Sequence, residues 1–129
     1  MKKLFTLLLA LSALTLATTP TFAADSAPKS VIHVVTVAWK EGTTPEQIKA
    51  ALDGAQALPA AYKGITHVWT KVLKVQNAKE LVKKRTHIIV MEFTDEKAFA
   101  DYTDSPAQKE WYNLYLPIRD ESTTHDITN

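Results

Sequence analysis

The chain has 129 residues with 15 Lys and Arg against 14 Asp and Glu, a formal charge of +1, and no cysteine. Near-neutral charge argues against nucleic acid as a partner, because neutralising phosphates needs a basic excess on one face. The absence of cysteine excludes a disulfide framework, a thiol nucleophile, and Cys-ligated zinc or iron–sulfur sites.

Residues 1–23 read as a secretory signal peptide: Lys2 and Lys3 precede an apolar run from Leu4 to Ala17, shorter than a membrane span, which Pro20 breaks. Thr21-Phe22-Ala23 supplies the small residues that signal peptidase inspects, so cleavage is expected after Ala23. The mature chain then carries 13 basic side chains against 14 acidic ones, with no stable membrane anchor and a periplasmic or secreted location. Its length suits one compact domain. Residues 24–30 form a flexible leader and residues 31–129 the domain.

Val31 to Trp39 reads as a strand, β-branched and apolar on both faces, which implies cover on both sides. After the turn Lys40-Glu41-Gly42-Thr43, the stretch Thr44-Pro45-Glu46-Gln47 is a capping box with proline in the first turn. Ile48, Ala51, Leu52, Ala55 and Leu58 then form one helical stripe that ends near Pro59. Ile65 to Val75 alternates as a second strand, with His67 and Trp69 on one side and Val68 and Val72 on the other. Gln76 to Lys84 is a polar, basic excursion read as a solvated loop. The third strand runs from Thr86 to Phe93. Thr94-Asp95-Glu96 starts a helix with Phe99 and Tyr102 inward, and Ser105-Pro106-Ala107-Gln108 is a second capping box. Gln108, Trp111, Tyr112 and Tyr115 share one face of that helix, and Thr123 to Asn129 is a short edge strand.

The order β-α-β-β-α-α-β is the split βαβ plan of an α+β, ferredoxin-like fold with a four-stranded antiparallel sheet. Helices on one face leave the other face bare although its residues are apolar. A second copy of the chain would cover it, which predicts a homodimer whose two sheets pack into a dimeric α/β barrel.

Several segments together resemble the stress-responsive A/B barrel (Dabb) family of the dimeric α+β barrel superfamily. They are Ile32-His33-Val34-Val35 with Lys40-Glu41-Gly42-Thr43, Leu58-Pro59 before Gly64-Ile65, Thr86-His87 leading into Met91-Glu92-Phe93, and Ala98-Phe99 through Tyr102 to Ser105-Pro106-Ala107. The resemblance covers nearly the whole mature chain. Most of the family has no assigned reaction, so it implies fold and, loosely, a stress-related role. One branch is a plant polyketide cyclase that performs an aldol condensation without a cofactor. Its tyrosine matches Tyr102, but its histidine falls on Gln108, and Ser105 stands before the proline in place of a second histidine. Glutamine cannot take up a proton at neutral pH, so that base is missing here.

His33 and His87 match the family's pocket-side histidines and are expected to face one cavity with Val35, Ile89 and Met91. Tyr102, Gln108, Trp111 and Tyr115 would line its helical side and suit a small apolar ligand. The residues leave two classes open. One is a binding module in which the histidines hold the core. The other is a cofactor-independent acid–base enzyme, cyclase-like or isomerase-like, with His33 or His87 as base and Tyr102 donating to a developing enolate. A third, thinner comparison joins Trp69 and the histidines to heme-degrading monooxygenases of the superfamily, with Asn77 or Asn113 assumed into place. No metal is expected, since the histidines at 33, 67, 87 and 125 lack ligand spacing, and no cofactor is called for, since there is no Gly-rich phosphate loop.

Overall fold

A computed structural model describes residues 29–74 and 85–128. The expected signal peptide, most of the leader and the 76–84 excursion lie outside the described residues. The elements are β1 (Val31–Trp39), α1 (Pro45–Gln56), α2 (Leu58–Ala61), β2 (Ile65–Val72), β3 (His87–Phe93), α3 (Glu96–Tyr102), α4 (Pro106–Tyr115) and β4 (Arg119–Ile127). The strands form one antiparallel sheet in the order β2-β3-β1-β4, which is the expected α+β, ferredoxin-like plan.

Several boundaries differ from the sequence reading. Pro59 does not end the helical region but sits in the first turn of α2, where its missing N–H has no intrahelical partner to lose, and Leu58, 2% exposed, anchors that turn. β2 stops at Val72. β4 begins at Arg119, four residues before the expected Thr123, because pairing with β1 through Trp39↔Arg119 and Ala38↔Glu121 overrides the weak strand propensity of Arg-Asp-Glu-Ser.

Thr44 caps α1 as expected, its hydroxyl accepting from the Gln47 N–H while the Gln47 carbonyl accepts from the Thr44 N–H. Gly42 turns the preceding loop at φ 81°, a conformation that favours glycine. At α4 the second capping box is only half made. Ser105 accepts from the Gln108 N–H, but the Gln108 side chain accepts from the N–H of Asp104 at 2.7 Å, one residue earlier, where Asp104 adopts φ 64°.

The helices cover one face of the sheet. On that face Val31, Val35 and Val37 of β1, Ile89, Met91 and Phe93 of β3, and Ile65 of β2 are buried against Ala51, Ala55, Leu58, Tyr102, Trp111 and Tyr115. The opposite face is open in the single chain. Register lines it with rows that cross all four strands: His67, Glu92, Ile32 and Ile127, then Trp69, Val90, Val34 and His125, then Lys71, Ile88, Thr36 and Thr123. Trp69 is 46% exposed there and Ile127 61%. So β1 is sealed by helices on one face only, and its other apolar face stays half-exposed.

Candidate functional site

His33 and His87 both point to the helical face, yet they do not share a cavity. Their strands are neighbours, but His33 stands opposite Met91, and His87 stands opposite Val37. Four residue steps along β1 separate them, about 13 Å at ~3.3 Å per residue. Each therefore belongs to its own end of the sheet.

At one end His33 packs against Phe99, with ring centroids 5.1 Å apart, and more distantly against Phe93. Its Nδ1–H donates to the carboxylate of Asp126, directly opposite on β4, at 2.5 Å. A carboxylate on Nδ1 fixes the tautomer and leaves Nε2 as a lone-pair base. His33 lines a chamber of about 110 Å³ beneath α4, walled by Val35, Trp111, Tyr112 and Tyr115 and closed by Arg119, Ser122 and Thr124 of β4. Trp111 is fixed by donating its Nε1–H to the Ala51 carbonyl at 2.9 Å, and it stacks on Tyr115 at 4.7 Å and 14°. The Tyr115 hydroxyl lies near enough to Ser122 and Arg119 for both to favour its ionised form, but it completes no hydrogen bond among the described residues. Burial outweighs them and pushes the phenol up from its ordinary value.

At the other end His87 lines a cleft of about 380 Å³ between α1 and the sheet, together with Ile48, Leu52, Gln56 and Thr70. Trp39 donates its indole N–H to His87 Nδ1 at 2.9 Å, and the Thr86 hydroxyl also reaches that atom. An indole only donates, so neutral His87 carries its proton on Nε2 and presents a donor to the cleft. Burial pushes the pKa of His87 down. The unfolded chain therefore takes up a proton near pH 6.5 while the folded one does not, and stability is expected to fall as pH drops below about 6.5 toward the folded value. Thermal melts between pH 7.5 and 5.5 should show this slope. His87→Asn, whose carbonyl still accepts from Trp39, should flatten it.

The other expected site residues are distributed as follows. Ile89 and Met91 are fully buried beneath the helices and take part in the core. Tyr102 is 3% exposed, packed on Phe93 and Tyr62, and its hydroxyl has no partner among the described residues. Burial raises its pKa far above the ordinary phenol, so it stays protonated and cannot serve as a base. Gln108 is spent on capping α4. Trp69 stacks on His67 on the open face, away from both histidine sites, and His67 pairs with Glu92 at 2.8 Å. Asn77 lies outside the described residues. Among the described residues no group of three His, Asp or Glu side chains converges as a metal site.

Sequence reasoning missed Asp126 and Arg119. Asp126 lies 93 residues from His33, and only the β1–β4 register joins them. Arg119 falls before Thr123, where the edge strand is expected to start, in a stretch that the sequence reading assigns to no element.

A family model described as the stress responsive A/B barrel domain matches residues 31–129. The stress-response A/B barrel domain-containing protein HS1 of Arabidopsis thaliana is 28% identical over 98 residues, covering 75% of this chain and 87% of that protein. Among solved structures, a dimeric ferredoxin-like protein of unknown function from Thermobifida fusca superposes with a TM-score of 0.63 at 17% identity, covering 78% of this chain and 91% of that one. A hydroxynitrile lyase from Passiflora edulis superposes with a TM-score of 0.68 at 16% identity, covering 78% and 93%. At such identities the structural likeness speaks for the fold alone. With its family model matched over the whole of the described fold, this chain belongs to the stress-responsive A/B barrel domain family.

Proposed function

We propose that this chain is an exported, homodimeric A/B barrel protein that holds a small, mostly apolar ligand in the chamber beneath α4, with His33 as its polar contact. The carrying observation is convergence. Of the residues the sequence nominates, His33, Val35, Trp111 and Tyr115 line that one chamber, and Asp126 leaves His33 Nε2 free to meet a ligand. Ring faces with a few polar tips suit a ligand of that kind. The dimer reading is supported by the apolar open face and by the dimeric T. fusca neighbour. Export rests on the pattern of residues 1–23.

His33→Gln tests the site. It keeps a polar side chain but loses the imidazole, and the half-exposed pair with Asp126 contributes no more than ~1 kcal/mol to stability. The variant should fold with a nearly unchanged melting temperature and lose at least tenfold in affinity for whatever small molecule co-purifies with the wild type. Unchanged affinity would remove His33 from the site.

A second reading makes the protein a cofactor-independent acid–base enzyme, and the His33–Asp126 pair favours it. With its Nδ1–H given to a carboxylate, neutral His33 presents Nε2 as an acceptor, the orientation a base needs, whereas His87 presents a donor. His87, protonated on Nε2, presents its donor to the other cleft and takes no part in chemistry at His33. Tyr102, buried against Phe93 and Tyr62, lines neither histidine site, and Gln108 supplies neither acid nor base. The heme reading gains nothing from this placement, with Trp69 on the far face.

A further inference from the structure

We propose that the chamber beneath α4 binds a carboxylate, either a small carboxylic acid anion or the carboxylate end of a longer apolar ligand, on the Arg119 guanidinium. This deepens the ligand-site reading above and rests on it. Arg119 opens β4 and turns its side chain into the chamber, where the guanidinium carbon lies 5.9 Å from the Tyr115 ring centre. Its Nη1–H donates to the Ser122 hydroxyl at 3.3 Å, but its Nε is buried without a partner among the described residues. The Tyr115 hydroxyl, on a side chain only 3% exposed, is likewise buried and completes no hydrogen bond among the described residues, although Ser122 and Arg119 stand close to it. A guanidinium and a phenol that stays protonated offer donors, and buried donors left idle are costly, so an acceptor is what the chamber lacks.

Charge points the same way. Among the described residues no carboxylate comes within ion-pair distance of Arg119, and Asp126, the acid on the chamber side of β4, lies at the far end of that strand on His33. Arg119 also lies close enough to Tyr112 to favour its ionised form. A carboxylate would accept from the guanidinium fork and from Tyr115 together. About 110 Å³ between Val35 and the Trp111 ring admits a carboxylate with a short alkyl stem. One cation in apolar walls matches a monoanion better than a doubly charged phosphate.

The test titrates the mature full-length protein with propionate and with propionamide, following backbone amide signals by NMR. Propionate is expected to shift signals around the chamber with a Kd at least tenfold below that of propionamide. In Arg119→Gln this preference should vanish. Arg119→Lys, which keeps the charge and loses the fork, should fall between, and it carries the test if Arg119→Gln does not fold. Equal affinity for the two probes in the wild type, or a preference that survives Arg119→Gln, overturns the carboxylate proposal while the chamber stands. If neither probe shifts any chamber signal, the ligand-site reading falls with it.

Discussion

Val34→Asp is expected to turn a dimer into a monomer. Val34 sits on the open face of the central strand β1, opposite Val90, in a row that runs from Trp69 to His125. If a second copy covers this face, the aspartate lies near the middle of the buried interface, and every dimer carries it twice. An uncompensated buried charge costs ~3–5 kcal/mol. At about 1.4 kcal/mol per tenfold, one such cost raises the dimer Kd by more than a hundredfold. Sedimentation velocity should show the variant at half the wild-type mass. Lys97→Glu, on the exposed surface of α3, should leave the dimer intact. A Val34→Asp protein that remains fully dimeric would place the interface elsewhere.

Trp111→Ala has the largest expected effect on the fold itself. Trp111 is 5% exposed, stacks on Tyr115, and ties α4 to α1 through the Ala51 carbonyl. Truncating a buried aromatic of this size costs ~3–5 kcal/mol, because lost transfer energy is joined by the cavity left behind. A domain of this kind holds only about 5–15 kcal/mol in total. Trp111→Phe separates the contributions. It retains most of the ring and loses one hydrogen bond, about 1 kcal/mol net, since the Ala51 carbonyl lies inside α1 and is still served by helix bonding. Urea melts should rank wild type, Trp111→Phe and Trp111→Ala in that order with wide spacing. Near-equal midpoints for the last two would mean that the ring does not support the core.

The sequence was most legible where the signal is local. The Thr44 box, the β-branched alternation of β1 and β3, and the Asp95 cap of α3 are short-range physics, and each element stands where those signals put it. Registers are not local. Nothing near His33 or His87 says which residue of the other strand each faces, so the expected common cavity separates into two sites. The Asp126 partner of His33 and the Arg119 donors arise from the pairing of β4 with β1, which the polar start of β4 conceals. At Gln108 the box pattern predicts the right cap residue, but the left-handed backbone at Asp104 offers the side chain a closer N–H one position earlier.

The most direct test is native mass spectrometry of the protein purified from its own compartment, before and after denaturation. The expected result is a dimer of chains beginning at Ala24, carrying an added small-molecule mass that denaturation releases. Thr124→Phe, which fills the chamber, should yield the same dimer without that mass. A monomer, or a dimer that carries no small molecule and takes up none on titration, would contradict the account.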